Sequence, residues 1–304
     1  MKVGFIGVGV MGWPMSANLL KGGHDLTVFD VDRERAARFV KEVGGRAAAS
    51  IAEVADNEVV VTMLPTSQVV RQALTEDEDG GFLKAIKPGL IVVDMSSSEP
   101  GDTVLLGPLL AERGAVLIDA PVSGALPRAI TGKLAIMIGG EDEAAIEKAS
   151  PVLLSMGDRL FRTGPLGSGH AMKALNNYVA AAGLAAASEA LLIGQRFGLA
   201  GETMVDILNV STGKNFATEW LIKQQILPKT FSGSFTLALM AKDVKIAADL
   251  GEAMHLDAPV SRLVRDRFAM ARDKLGASRD NSAAILAWDE DLGSAELGPG
   301  ESGA

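Results

Sequence analysis

The sequence contains no cysteine and only three histidines among its 304 residues. Without cysteine, the chain forms no disulfide, no thiolate nucleophile and no cysteine-ligated zinc or iron–sulfur centre. The histidines, His24, His170 and His255, are far apart and match no metal-binding spacing such as H-E-x-x-H. We therefore expect no metal site built from side chains. The lack of cysteine also fits a reducing compartment.

Dense runs of basic residues are also missing, and the formal net charge is −9. Both features argue against a nucleic-acid surface and against a polybasic membrane anchor. The N-terminus opens on a strand-like motif without the character of a signal or transit peptide, so we expect a cytoplasmic protein. Ser188 and Glu189 interrupt the Ala-rich segment 178–194, which favours a buried helix over a membrane span.

The composition is that of a globular protein, with 48% hydrophobic and 22% charged residues. The length suits one large or two ordinary domains. An anionic small molecule remains a possible substrate, but it needs a local cluster of hydrogen-bond donors against the negative field.

A glycine-rich turn follows the first apolar run. Residues 2–6 predict a strand, residues 13–21 predict a helix, and Gly7, Gly9 and Gly12 lie at or between these elements. In a dinucleotide-binding turn the first glycine permits the tight bend, the second lets the pyrophosphate approach, and the third lets helix and strand pack closely. A turn that merely packs tightly is the alternative. The candidate cofactor contacts in this turn are Gly7, Gly9, Val10, Met11 and Gly12.

Asp30 ends the second predicted strand, 18 residues after Gly12. A carboxylate at this place accepts hydrogen bonds from the ribose hydroxyls and repels a 2′-phosphate, so NAD is expected as cofactor, with NADP possible. Arg33 and Arg35 lie nearby and could blunt the preference. We interpret them as solvated charges on the next helix, beside Glu34.

Strands and helices alternate up to about residue 164, which predicts a mostly parallel, doubly wound sheet. Ligands bind beyond the carboxyl ends of such strands, where Leu64, Pro65 and Ser97 are further candidates for cofactor contact. The acidic segment 75–81 predicts an exposed loop. Helical patterns without strands follow, and they predict an all-helical second domain.

A long helix is predicted from Gly167 to about Gly198, because the run lacks proline and is rich in Ala, Leu and Met. It is long enough to join the two domains. Lys173 and Asn177 lie four residues apart near its start and therefore share a face. Burial and the positive end of the helix dipole disfavour an ammonium there, which is one way to obtain a lysine that exchanges protons near neutral pH. A solvated lysine and an ordinary asparagine are the alternative.

The segment 119–134 predicts a loop between two strands. Ser123 and Gly124, placed after Pro-Val, would offer a hydroxyl and free backbone N–H groups to a small carboxylate. The same pair is equally typical of a simple turn.

Four separated motifs together resemble the β-hydroxyacid dehydrogenases, the family that contains 3-hydroxyisobutyrate dehydrogenase, tartronate semialdehyde reductase and L-threonate dehydrogenase. The matching segments, in chain order, are G-F-I-G-V-G-V-M-G at 4–12, D-A-P-V-S-G at 119–124, G-S-G-H-A-M-K-A-L-N-N at 167–177 and A-K-D at 241–243. The resemblance extends to about residue 290. One departure is Ala125, because many members have a second glycine there.

The resemblance implies a Rossmann domain, an all-helical domain and an active site between them. It implies NAD(P)-dependent interconversion of a β-hydroxyacid and its semialdehyde or keto acid. Matching positions make Lys173 the catalytic acid/base with Asn177 beside it, and Lys242, supported by Asp243, a neighbour of the nicotinamide. Substrate contacts are expected from Ser123, Gly124, Ala125 and Asn177, with Lys214 or Asn215 tuning the choice of substrate unless they form a solvated loop.

The expected domains are therefore 1–164, 165–292 and a disordered tail, 293–304. A homo-dimer or homo-tetramer is expected from the family alone. Substrates that satisfy the same anchor include 3-hydroxyisobutyrate, glycerate, tartronate semialdehyde, threonate and a sulfonate analogue. The alternatives are activities like those of 6-phosphogluconate dehydrogenase or imine reductase, or a dinucleotide-binding protein without turnover. Asn176 stands where 6-phosphogluconate dehydrogenases typically have histidine. Lys173 argues against an imine reductase, because imine reductases normally lack lysine at this position.

Overall fold

A computed structural model describes residues 1–75, 81–233 and 235–289. The chain forms two compact units, the first from Met1 to Lys173 and the second from Ala174 onward. This division falls inside one continuous helix, Ser168–Phe197. The predictions of an acidic loop over 75–81 and of a disordered tail over 293–304 fall almost wholly outside the described residues.

The first unit contains a nine-stranded sheet. Its first six strands are all parallel, and the last three form an extension in which β8 runs antiparallel to β6 and β7 and parallel to β9. The mostly parallel sheet predicted from the sequence is thus confirmed. The strands are β1 (Lys2–Ile6), β2 (Asp25–Phe29), β3 (Arg46–Ala47), β4 (Val59–Thr62), β5 (Ile91–Asp94), β6 (Val116–Asp119), β7 (Val122–Ser123), β8 (Leu134–Gly139) and β9 (Gly157–Gly164), in the spatial order β3-β2-β1-β4-β5-β6-β8-β7 with β9 on β8.

Helices cover both faces of this sheet. Alternate residues of one strand enter two different cores, so that Val59 and Val61 of β4 pack on one face and Val60 on the other. Burial on both faces explains why these strands are continuous apolar runs. The helices are α1 (Gly12–Lys21), α2 (Arg33–Glu42), α3 (Ile51–Val54), α4 (Ser67–Thr75), α5 (Phe82–Ala85), α6 (Pro100–Ala111), α7 (Ala125–Thr131) and α8 (Glu143–Met156).

The expected loop over 119–134 is wrong. Val122 and Ser123 pair with Ile136 and Ala135 of β8, and this pairing makes them a short strand. Helix α7 follows and ends at Thr131, where Gly132 caps it with a φ of 67°, the left-handed conformation typical of glycine. The segment is too short for a periodic pattern to reveal either element.

The second unit is helical, as predicted, and within its described part the only strand-like contact is an isolated bridge between Thr236 and Asp280. Its core is built from one face of each long helix and includes the fully buried Phe268. The elements are α9 (Ser168–Phe197), which begins in the first unit, α10 (Gly201–Asn209), a π-helix (Ala217–Ile226), α11 (Leu237–Ala253), α12 (Pro259–Leu275), a 3-10 turn (Asn281–Ala283) and α13 (Ala284–Trp288).

Helix α9 is long and apolar enough, by length and composition, to cross a membrane. Core helices pass the same test, and Ala181, Leu184 and Leu191 of α9 are buried in the core of the second unit. This packing accounts for its apolar character, because a helix buried along one face and rich in alanine has few polar positions.

The second unit should depend strongly on Phe268, whose ring meets Trp288 edge-to-face at 5.5 Å. Replacing this buried ring by Ala leaves a cavity, so we expect Phe268→Ala to lower the free energy of unfolding by about 3–5 kcal/mol. Urea unfolding should show the shift in midpoint. Phe161→Ala, at a half-exposed position of β9, is the matched control and should cost about 0.5 kcal/mol or less. Equal shifts for both variants would contradict this assignment of the core.

Candidate functional site

The glycine-rich turn between β1 and α1 leaves no room for side chains at two of its three glycines. A Cβ at Gly7 would lie 2.4 Å from the Met63 carbonyl oxygen, and one at Gly12 would lie 1.9 Å from the Gly7 carbonyl oxygen. Gly7 also has a φ of 97°, which favours glycine. By contrast, nothing lies within 4 Å of the Cβ position at Gly9. The turn is therefore tight at its ends and open in its middle.

This shape fits a dinucleotide. The open side of Gly9 faces away from the described protein atoms, and helix α1 starts three residues later without a side-chain cap. Uncapped N–H groups at a helix start favour a phosphate. Val10 is exposed and Met11 is half-buried at the same bend. These residues would hold the pyrophosphate of NAD(P).

Asp30 lies just beyond β2 and is buried. Its carboxylate accepts a hydrogen bond from the Val8 N–H at 3.0 Å and from the Asp32 N–H at 2.9 Å. It thus ties the end of β2 to the glycine-rich turn.

Arg33 and Arg35 lie on α2, as expected, with Arg33 exposed and Arg35 partly exposed, and each also contacts the protein. The Arg35 guanidinium pairs with Asp30 at 3.3 Å and with Asp32 at 3.1 Å. The Arg33 guanidinium donates to the Ala48 carbonyl oxygen at 3.1 Å and lies over the Phe29 ring. Their place on α2 beside Asp30 was predicted, but these particular partners were not, because the contacts depend on the geometry of the turn that joins β2 to α2.

Two neighbouring strand ends are joined by hydroxyl and carboxylate groups. The Leu64 N–H donates to the Ser96 hydroxyl at 2.9 Å, and the buried Asp94 accepts from Thr62 at 2.8 Å and from Ser98 at 2.6 Å. These contacts fix the turns after β4 and β5. The predicted cofactor contacts Leu64, Pro65 and Ser97 lie in those turns, half-buried or exposed.

The expected substrate segment forms the junction between β7 and α7. Ser123 ends β7, and Gly124 has a φ of 131°. The aliphatic part of Arg128 covers Gly124, so that a Cβ there would lie 2.5 Å from the Arg128 Cδ. Ala125 has a φ of 51°, a left-handed conformation that alanine adopts only with strain. The position after Gly124 therefore carries backbone strain that a glycine would not have.

Helix α9 begins against the end of β6. Both oxygens of the buried Asp119 accept backbone N–H groups, from Gly167 at 2.7 Å and from His170 at 2.8 Å. The His170 ring is also buried, and its Nδ1 hydrogen-bonds the Thr103 hydroxyl at 2.8 Å. Lys173 follows on the same helix, half-buried.

In the second unit, a hydrogen-bonded chain links Asn177 of α9 to helix α11. The Asn177 Nδ2 donates to the buried Asp243 at 2.6 Å, and the Lys242 ammonium lies 3.5 Å from the same carboxylate. Asn176 donates to the Asn177 Oδ1 at 3.1 Å. Asn177 is therefore held in one orientation by a carboxylate 66 residues away in the sequence.

The two polar loop residues considered for substrate choice make local contacts. Lys214 is exposed and pairs with Glu219 at 2.8 Å. Asn215 accepts the Ala217 N–H at 2.9 Å and so caps the π-helix. Among residues 1–75, 81–233 and 235–289, no group of three or more His, Asp or Glu residues is arranged to hold a metal ion.

The structural roles of Asp94, Asp119, His170 and Thr103 were not predicted from the sequence. A usable signal existed, because Asp94 and Asp119 each end a strand that is otherwise apolar, and a buried carboxylate must find hydrogen-bond donors. The first unit thus brings the glycine-rich turn, Asp30 and the turns after β4 and β5 to neighbouring strand ends, and the second unit brings Asn177 and Lys242 onto Asp243.

Two family models match the chain almost from end to end. Residues 2–164 match the NAD binding domain of 6-phosphogluconate dehydrogenase, and residues 167–288 match the NAD-binding domain of NADP-dependent 3-hydroxyisobutyrate dehydrogenase.

Individual relatives agree with this result. The chain is 35% identical over 294 residues to 2-(hydroxymethyl)glutarate dehydrogenase of Eubacterium barkeri, covering 96% of each chain. It is 33% identical over 298 residues to NAD-dependent L-serine dehydrogenase of Pseudomonas aeruginosa, covering 96% of this chain and 99% of that one. The structure of Mycobacterium tuberculosis 3-hydroxyisobutyrate dehydrogenase with L-serine superposes with a TM-score of 0.87, at 33% identity and covering 94% and 98% of the two chains.

The glycine-rich turn allows binding and folding to be separated. Gly9→Ala places a methyl group in open space, so we expect normal thermal stability but a large loss of NADH binding, measured by fluorescence titration. Gly12→Ala forces the methyl group onto the Gly7 carbonyl oxygen, so we expect a loss of stability of about 1–3 kcal/mol or more. Tight NADH binding by Gly9→Ala would show that the cofactor does not use this turn.

Proposed function

This chain belongs to the β-hydroxyacid dehydrogenase family, and on that premise we propose the substrate class, the proton-transfer residue and the cofactor preference of its reaction. It is an NAD(P)-dependent oxidoreductase that acts on the CH–OH group of a small β-hydroxyacid or on the corresponding semialdehyde. The proposal is that Lys173 moves the hydroxyl proton and that the substrate is a 2-substituted 3-hydroxypropanoate.

The names of three relatives define that class. 2-(Hydroxymethyl)glutarate, L-serine and 3-hydroxyisobutyrate all contain a hydroxymethyl group on the carbon that bears the carboxylate, and they differ only in the second substituent. Oxidation of such an acid gives a 3-oxopropanoate, that is, a semialdehyde. A site that grips the shared part and tolerates different substituents accounts for this spread of substrates within one fold.

Ser123 and the backbone at Gly124 are proposed to hold the carboxylate. The geometry that supports this is a hydroxyl at the end of β7 followed by the start of α7, where N–H groups favour an anion. Ala125, in its strained conformation, is proposed to narrow the space available to the substrate beside Gly124. Lys214, exposed on its loop, is proposed to tune the substituent that is accepted.

Bound NAD(P) supplies the hydride acceptor. Gly7, Gly9, Val10, Met11 and Gly12 are proposed to hold its pyrophosphate, Asp30 its ribose and Lys242 the region of its nicotinamide. Leu64, Pro65 and Ser97 are proposed to line the same cofactor.

Lys173 is proposed as the general base in oxidation and the general acid in reduction. Its neutral amine accepts the hydroxyl proton, and its ammonium returns one to the aldehyde oxygen. Its half-buried position in the second turn of α9 supports this role, because partial burial disfavours a permanent cation.

Asn177 is proposed to fix the substrate hydroxyl beside Lys173. The observation that carries the proposal is the bond from its Nδ2 to Asp243. That bond uses one of the two N–H groups of the amide and leaves the other for a ligand, in an orientation that cannot rotate freely. A binding protein without turnover has no need for such an arrangement four residues from a half-buried lysine.

We further propose that the protein works in the cytoplasm as a homo-dimer or homo-tetramer. The absence of cysteine from the chain supports the compartment. The alanine-rich faces of α9 suit close contact between helices. Light scattering of the purified protein measures the oligomeric state directly.

The role of Lys173 is tested by Lys173→Ala. We expect turnover to fall to background, since general acid–base catalysis contributes about 10²- to 10⁴-fold. NADH binding, measured by fluorescence, should remain nearly intact. Lys245→Ala is the control, because Lys245 is exposed and pairs with Asp249 on α11. Near-normal turnover by Lys173→Ala would remove the assignment.

The cofactor preference is tested by Arg35→Ala. Asp30 repels a 2′-phosphate, so we propose that the enzyme prefers NAD, and Arg35 softens this repulsion by pairing with Asp30. Removing Arg35 should raise the NAD to NADP ratio of kcat/KM about 2- to 5-fold, the factor that an ion pair of about 0.5–1 kcal/mol supplies. Arg38→Ala, one turn away and stacked on Trp13, should leave the ratio unchanged. A lower ratio in Arg35→Ala would contradict the proposed place of the ribose.

A further inference from the structure

Asp119 is a fully buried carboxylate that the proposed reaction does not use. It ends β6 and is the single residue through which β6 pairs with β8, opposite Gly139. One of its oxygens accepts the Gly167 N–H and the other accepts the His170 N–H. Gly167 precedes the first residue of α9, and His170 is the third residue of that helix. Asp119 therefore caps α9 from a different element of the fold.

Two glycines enclose this carboxylate. A Cβ at Gly139 would lie 2.3 Å from the Asp119 Oδ1, and a Cβ at Gly169 would lie 2.8 Å from its Oδ2 and 2.4 Å from the Met137 carbonyl oxygen. Strand β8 and helix α9 thus approach the carboxylate too closely for any side chain. The first turn of α9 is held against β8 with little freedom to shift.

The position of the Asp119 side chain requires a carboxylate. Both of its oxygens accept from N–H donors, whereas an asparagine amide would offer one acceptor and turn an N–H₂ group toward the second donor. Its negative charge also matches the positive end of the helix, where charge-assisted bonds to backbone N–H groups are strong.

His170 supports the same turn from the opposite direction. Its ring hydrogen-bonds Thr103 of α6, and its Nε2 lies 3.6 Å from the Asp94 carboxylate at the end of β5. The first turn of α9 is thereby tied to the ends of two neighbouring strands, β5 and β6. Lys173 follows three residues after His170, on the next turn of the same helix.

We propose that Asp119 is a positioning residue for Lys173. By binding two N–H groups in the first turn of α9, it sets the height and rotation of the helix and hence the place of the Lys173 amine. The same residue opens the segment that contains Ser123 and Gly124, so one carboxylate fixes the proton-transfer helix relative to the proposed carboxylate anchor. This inference rests on the proposed function, because it assumes that Lys173 transfers the proton.

The test is Asp119→Asn in the full-length enzyme. A displacement of the reacting group on the scale of 1 Å costs up to about 100-fold, so we expect kcat to fall about 10- to 100-fold. The dissociation constant for NADH should stay unchanged, because the hydrogen bonds of Asp119 go to Gly167 and His170 at the start of α9 rather than to the glycine-rich turn. Hydrogen exchange of a peptide covering residues 165–172, measured without cofactor, should become faster.

Asp280→Asn is the matched control. Asp280 is likewise buried and accepts backbone N–H groups from Phe235 and Ser282, but it caps the 3-10 turn of the second unit. It should lower the melting temperature without lowering kcat per folded molecule. Wild-type kcat in a folded Asp119→Asn variant, or an equal loss of kcat in both variants, would overturn the inference.

A second pair of variants covers the case in which Asp119→Asn does not fold. Gly169→Ala pushes the first turn of α9 away from β8 and Asp119 and should lower kcat in the same way. Ser168→Ala, one residue earlier, removes only a hydroxyl contact with Thr163 and should leave kcat unchanged. A folded Gly169→Ala enzyme with wild-type kcat and wild-type exchange over 165–172 would overturn the inference.

Lys173→Ala, measured in parallel, separates the two claims. If Lys173→Ala retains turnover, the proposed function fails, and the inference fails with it because no proton-transfer lysine needs positioning. If Lys173→Ala is inactive while Asp119→Asn and Gly169→Ala are fully active, the proposed function stands and only the role of Asp119 is lost.

Discussion

Buried carboxylates at the carboxyl ends of parallel strands fix the turns that follow these strands in the first unit. A carboxylate removed from water must find donors, and the nearest donors are the backbone N–H groups of the turns that leave the sheet. Asp30 binds Val8 N–H, Asp94 binds Ser96 N–H, and Asp119 binds Gly167 N–H. Each aspartate thereby fixes the conformation of the backbone that it binds, on the edge of the sheet where ligands bind in this class of fold.

The second unit also contains a buried carboxylate that orients its neighbours. Asp243 on α11 holds Asn177 and lies beside Lys242, so that two polar side chains from different helices share one buried carboxylate. In both units, therefore, a buried aspartate accepts hydrogen bonds from polar groups and holds them in one orientation. Such preorganisation is what a hydride transfer with a coupled proton transfer demands, since the geometry must be set before the reaction.

Local sequence signals were sufficient to predict much of the fold and part of the candidate site. The glycine spacing, the acid after β2 and the alternation of strands and helices predicted the parallel sheet, and a run without proline predicted α9 to within a residue at each end. These features are encoded by residues close together in sequence.

The short elements β7 and α7 were missed because β7 exists only through its pairing with β8. The pairing of Arg35 with Asp30 spans only five residues, but it was missed because it depends on the conformation of the turn between β2 and α2. The partners of Asp119 lie 48 and 51 residues along the chain, a separation at which no periodic pattern carries information.

The central claim is that this chain removes a hydride from the hydroxymethyl carbon of a small 3-hydroxyacid. The most direct test uses 2-substituted 3-hydroxypropanoates deuterated at that carbon, incubated with NAD and the purified protein. Mass spectrometry of the recovered cofactor should show one deuterium on the nicotinamide for at least one acid of the series. Protein that binds NADH yet yields no labelled NADH with any of these acids would contradict the account.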